Sequence, residues 1–167
     1  LEKKINAFLC GGVFLGFGAL GYFIYLGYKL RYRFFESLVR FCDNLGTEIG
    51  FSKKTIAQII DTYIEGYSAD FAEVLTQYRA LIEARADITR ESIILPAMLK
   101  KPEQEAVTDF FLSLGRHSSA EELGKIKNAK AAFEVFRSEA SERLKRDASI
   151  YFKVCILVGI ACVILLA

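Results

Sequence analysis

Two stretches without a single carboxylate, ammonium or guanidinium side chain constrain this chain more than anything else in it. Residues 5–28 contain no Asp, Glu, Lys or Arg, and neither do residues 154–167. A helix that is apolar on every side cannot bury its whole circumference in a small protein core, whereas a bilayer accepts it. The first run is 24 residues long, which as a helix covers ~36 Å, enough for a hydrocarbon core with some tilt. A secretory signal peptide is the competing reading, but its apolar region is shorter and ends in small residues at a cleavage site. Here the run ends Tyr25-Leu26-Gly27-Tyr28-Lys29, tyrosines at interface depth with cations behind them. The sequence therefore predicts an uncleaved anchor. The second run has 14 residues, extended to about 18 by Ile150, Tyr151 and Phe152 if Lys153 snorkels. That is near the lower limit for a span. A buried core helix is the alternative there, and its all-round apolarity favours the span.

Lys3 and Lys4 flank the first run on one side. Lys29, Arg31, Arg33, Arg40, Arg143, Lys145, Arg146 and Lys153 flank the two runs on the central side. Eight against two orients the chain with both termini outside and the middle in the cytoplasm. The expected division is an N-terminal transmembrane anchor (1–28), a cytoplasmic helical domain (29–153) and a C-terminal transmembrane anchor (154–167).

The middle reads as helix. Leu30, Phe34, Leu38, Phe41, Leu45 and Ile49 form one apolar stripe continuing out of the first span, ending at Gly50 and Ser52-Lys53-Lys54. Ile56, Ile59, Ile60, Tyr63 and Ile64 line a second helix. Phe71, Val74, Leu75, Tyr78, Leu81 and Ile82 line a third, capped near Ser68. A weaker helix carries Ile93 and Ile94 and breaks around Pro96. Pro102 suits a first helical position, Val107, Phe110, Phe111 and Leu114 line the helix after it, and Gly115 suits its C-terminal cap. Ser119-Ala120-Glu121-Glu122 fits a capping box with Glu122 reaching back to the cap amide. Leu123, Ile126, Phe133, Phe136, Ala140, Leu144 and Ala148 then run toward the second span. The fold class expected is all-α: a membrane-anchored helical bundle in which two long helices continue from the terminal spans and shorter helices close the membrane-distal end.

Charge sorts along this body. The formal net charge is +2, too small a basic excess for a dedicated nucleic-acid binder, and abundant aromatic and aliphatic residues exclude a disordered chain. Residues 29–60 carry net +3, residues 61–109 net −5 and residues 110–153 net +3. Lys29, Arg31, Arg33, Lys145, Arg146 and Lys153 match anionic headgroups at the membrane surface. The acidic end, with Glu65, Asp70 and Glu73, is either a solvated face or the receiver of a basic partner.

Gly16-Phe17-Gly18-Ala19-Leu20-Gly21 is a literal G-x-G-x-x-G. It lacks the preceding strand that a dinucleotide loop needs, and it lies inside an apolar run where exposed backbone is prohibitive. Gly12, Gly16 and Ala19 read instead as a small face for packing against another membrane helix. His117 is the lone histidine and reads as a solvated loop residue. Cys10, Cys155 and Cys162 sit in the spans and Cys42 on the first cytoplasmic helix, with no C-x-x-C among them. No phosphate loop occurs, and neither cofactor nor metal is expected. Glu48, flanked by Leu45 and Ile49, reads first as a structural carboxylate bonded to a neighbouring helix and second as a partner contact. The spans carry no ionisable residue except Lys153 at an edge, which disfavours an intramembrane enzyme.

The order of these features resembles the stage III sporulation protein AB family of endospore-forming bacteria. The likeness rests on the Gly-rich first span followed by Arg31-Tyr32-Arg33, on Leu45-Gly46-Thr47-Glu48-Ile49 (the family has L-E-T-E-I), on Leu114-Gly115 before the long last helix, and on the short final span. Two departures stand out: Gly46 replaces the first Glu of that motif, and His117, Ser118 and Glu122 stand where the family usually has Ser, Asp and Gln. The resemblance implies a non-enzymatic platform subunit of a secretion-like complex joining mother cell and forespore, in the mother-cell membrane around the forespore. It also implies similarity to type II secretion and type IV pilus platform proteins. The partners implied are a cytoplasmic secretion-type ATPase, stage III sporulation protein AA, and other membrane subunits. The alternative is a membrane-anchored, homo-oligomeric helical scaffold or sensor unrelated to secretion.

Overall fold

The computed structural model describes the backbone of residues 2–51, 54–115 and 119–166, and the side chains of residues 12, 15–51, 54–115, 120–147, 150–161 and 164. Its helices are α1 (Glu2–Phe51), α2 (Ile56–Tyr63), α3 (Ala69–Glu83), α4 (Lys101–Ser113), α5 (Ser119–Arg143) and α6 (Ser149–Leu166). No strand occurs among the described residues. The chain divides into two compact units, one of residues 1–30 with 139–167 and one of residues 31–138.

The unit of residues 31–138 is built on the stripe of α1. Phe34, Leu38, Phe41 and Leu45 lose all solvent contact, because steps of three and four keep them on one helix face. Phe71 of α3 meets Phe34 and Phe41 edge-on, with ring centres 5.3 and 5.8 Å away. Phe111 of α4 joins Phe41 and Tyr78, and Phe110 reaches Phe133 of α5. Four helices thus share one aromatic core, where edge-to-face pairs each add about 0.5–1.5 kcal/mol beyond area burial. The Tyr78 hydroxyl donates to the Phe111 carbonyl at 3.0 Å, and the hydroxyl of Tyr67, whose ring packs on Phe41 and Phe71, accepts from Asn44 at 2.7 Å.

A buried ion pair fastens α4 to α1. Arg31 and Glu103 are 5% and 1% exposed. The Arg31 Nε donates to Glu103 Oε2 at 3.1 Å, and its Nη2 to Oε1. Glu103 Oε2 also accepts the Lys100 amide at 2.9 Å, so one carboxylate both starts α4 and ties it to α1. Pro102 is the second helical residue, one later than expected. Gly115 lies just past α4 with φ +77°, the left-handed conformation that only glycine adopts without strain. Its amide donates to Glu122 Oε1 at 2.7 Å. Glu122 of α5 therefore holds the residue that ends α4; the capping box expected at Ser119 rests on a side chain outside the described residues.

Ser68 stands at the N-cap of α3 as expected, although its hydroxyl forms no capping bond; its amide donates to the Ser37 Oγ at 2.9 Å. The segment carrying Ile93 and Ile94 is not an α-helix: a short 3-10 turn at Arg90–Ser92 leads into extended backbone at Ile93. The helical course from 119 to 166 is interrupted by a π turn at Leu144–Ala148.

In the other unit α1 and α6 touch at Gly21. A Cβ there would lie 3.1 Å from the Phe152 ring and 3.3 Å from the Cys155 Cβ. Among the described residues no helix is long and apolar enough to cross a membrane. The side chains of the two expected spans are described only in part, those at 5–11, 13, 14, 162, 163 and 165–167 not among them.

Candidate docking site

Helix α3 turns Phe71, Val74, Leu75 and Tyr78 into the core and leaves Asp70, Glu73 and Gln77 on the flank beside them. The chain leaves α3 through Arg85 at φ +50°. It then returns along the helix after a small turn in which the Thr89 amide donates to Ser92 Oγ at 3.0 Å. Extended backbone points successive side chains to opposite sides. Ile93 goes inward and is buried, and Ile94 goes outward and is 66% exposed. Leu95 and Pro96 follow, half-buried.

Between this segment and α3 lies a groove of about 250 Å³. Asp70, Glu73 and Gln77 form one wall, Ile94, Leu95 and Pro96 the other, and Val74 sits between them. Neither Asp70 nor Glu73 forms an ion pair among the described residues. The cation nearest in sequence on the same helix, Arg79, is already taken by Asp61 at 2.7 Å and Glu83 at 3.0 Å. The groove thus joins an unneutralised acidic wall to an apolar one.

A second groove of about 420 Å³ runs beside Gly46, Phe51 and Leu123. Its charge is largely settled internally, since Lys130 bridges Asp43 at 2.5 Å and Glu134 at 3.6 Å.

Of the residues expected to meet a partner, Asp70 and Glu73 stand together on the α3 groove. Glu65 is exposed on the 3-10 turn Ile64–Gly66 and does not line it. Glu48 is 8% exposed and accepts from the Tyr63 hydroxyl at 2.7 Å and Lys54 Nζ at 3.1 Å. That hydrogen bond holds the Tyr63 proton and raises its pKa. Glu48 is therefore the structural carboxylate of the two readings, and its role as a partner contact is withdrawn.

The basic set also divides. Arg33, Lys145, Arg146 and Lys153 are exposed and Lys29 is half-buried. Arg31 is corrected: it is sealed in the body by Glu103 and offers no charge to a membrane surface. Lys145 and Arg146 lie on the π turn, where Arg146 and Asp147 pair at 2.8 Å; their hydrogen bond raises the Arg146 pKa and lowers that of Asp147.

Gly12, Gly16 and Ala19 are exposed, and a Cβ at either glycine would meet nothing within 4 Å. Gly21, by contrast, packs against Phe152 and Cys155. Cys42 is buried, its thiol pushed up to about 12 by that burial, so it is a core residue and not a crosslinking handle. His117 and Ser118 lie outside the described residues, as do the side chains of Cys10 and Cys162. Among the described residues no group of His, Cys, Asp and Glu could hold a metal ion.

Sequence reading missed Glu103. The signal available was its place three residues after Lys100 and one after Pro102, the third position of a helix start. Nothing in the sequence tied it to Arg31, 72 positions away.

A family model described as stage III sporulation protein AB matches residues 6–167. No curated protein and no solved structure matches the chain.

Proposed function

The chain belongs to the stage III sporulation protein AB family, and on that footing we propose that it is a non-enzymatic platform subunit of the sporulation complex between mother cell and forespore. Its two charge-free runs anchor it in the mother-cell membrane, with the body in the cytoplasm. The body receives a cytoplasmic secretion-type ATPase, stage III sporulation protein AA. The open face of Gly12, Gly16 and Ala19 packs against other membrane subunits of the complex. Within the body, the buried Arg31–Glu103 pair ties α4 to α1.

The observation that supports docking most directly is the groove on α3, where two of the four carboxylates expected to meet a partner stand without an ion pair among the described residues, beside an apolar wall. The test is co-purification. Tagged full-length chain, extracted with mild detergent from sporulating cells, should bring the ATPase with it. Extraction that recovers intact chain without the ATPase, under conditions where other membrane subunits remain attached, overturns the reading. The exposed small face favours a second reading, self-association in the membrane. Disulfide trapping of Gly16→Cys would then give dimers of this chain when it is expressed without its partners.

A further inference from the structure

We propose that the α3 groove holds a short segment of a partner protein in which an apolar side chain is flanked by Lys or Arg. This rests on the docking role proposed above and specifies what the docking segment must look like.

The argument starts from Ile94. Extended backbone turns it outward once Ile93 is buried. The sequence places a large β-branched side chain there, 66% exposed, with Leu95 and Pro96 continuing the same wall. Asp70 and Glu73 face it across the groove with no ion-pair partner among the described residues. The volume, about 250 Å³, falls below the ~300–1,000 Å³ of typical small-molecule sites. It suits one or two side chains of a protein. The acidic wall repels anionic headgroups, which rules against a lipid surface as occupant. It attracts a cation at each side of an apolar anchor, so charge would orient the segment and apolar contact would hold it.

The test introduces Ile94→p-benzoylphenylalanine into the full-length chain in sporulating cells, with Glu105→p-benzoylphenylalanine, on exposed α4 surface, as the control. Mass spectrometry of the crosslinked peptide should find an apolar residue within a few positions of Lys or Arg, and only from position 94. In parallel, a Asp70→Lys/Glu73→Lys chain and an Ile94→Asp chain should each retain at least tenfold less ATPase on co-purification. The melting temperature of the Ile94→Asp chain should stay unchanged, because that side chain lies at the surface; Asp70→Lys puts a cation in the first turn of α3 and should lower it slightly, so a Glu73→Lys single variant, exposed and outside that first turn, serves as the stability-neutral charge arm.

Basic-apolar crosslinks to some other protein would uphold the groove and sink the ATPase reading. Normal ATPase recovery by all three variants would uphold the ATPase reading and sink the groove. An acidic crosslinked segment, or no crosslink specific to position 94, sinks the groove as well.

Discussion

A guanidinium and a carboxylate shut away from water are stable only as a pair. Removing one partner leaves the other charged and unsolvated, which typically costs about 3–5 kcal/mol. Arg31→Met or Glu103→Met should each destabilise the body by that order, read as a fall in unfolding midpoint of the detergent-solubilised chain. The double variant should recover most of the loss, since two apolar side chains of similar volume can replace a buried pair. Glu103→Met carries an extra cost, the lost acceptor for the Lys100 amide. Cys42 and Tyr67 give the molecule an alkaline weakness. Burial raises both, Cys42 from an ordinary 9.0 to about 12. The folded state therefore holds protons that the unfolded chain has released. The stabilisation is complete below about pH 9, declines through the window above it and is gone beyond about 12. The unfolding midpoint should fall between pH 8.5 and pH 11 (values chosen for the assay), and Cys42→Ala should shrink that fall. Residues such as these are the least legible in a sequence: Arg31 read as one more cation in a basic flank, and only its partner on another helix reveals it as interior.

At the scale of elements, periodicity carried most of the fold. The stripe of α1, the buried faces of α3 and α4 and the glycine after α4 all follow from spacing and from local backbone preference, which act within a few residues. The segment at 90–99 does not. Its apolar pair, Ile93 and Ile94, fits a helix as well as a strand, and what decides is the packing of Ile93 on α3, a contact between distant residues. The π turn at Leu144–Ala148 is equally invisible, because nothing in Leu-Lys-Arg-Asp-Ala distinguishes one hydrogen-bond register from the next. Two substitutions test the elements that were found. Gly115→Ala forces a Cβ into the left-handed region and should cost about 1–2 kcal/mol in unfolding free energy. Gly21→Cys places its Cβ 3.3 Å from that of Cys155, slightly inside the ~3.5–4.5 Å usual for disulfides. Mild oxidation should therefore close a bond within one chain, visible as faster migration on a non-reducing gel and abolished by Cys155→Ala. Failure to close it would mean that α1 and α6 do not meet at this point.

For the whole molecule the governing quantity is where charge is missing. A charged side chain at a bilayer centre costs at least ~2.5–3.5 kcal/mol on insertion scales, so a stretch of 24 residues without one meets the main requirement for a span, and the shorter C-terminal run meets it at its limit. The two runs need not contribute equally. In the proposed anchoring the first is long enough to hold the chain unaided, whereas the second would depend on Lys153 reaching the interface. Alkaline carbonate washing should accordingly leave the full chain in the membrane pellet. Deleting residues 150–167 should leave most of it there, and deleting residues 1–28 should release a substantial fraction. Lys153→Glu in that last form should release nearly all, because a carboxylate on a shorter stem snorkels poorly and is repelled by anionic headgroups. Recovery of the intact chain in the wash supernatant would remove the anchoring on which the platform role depends. Equal retention of the two truncated forms would instead show that the C-terminal run spans without help from Lys153.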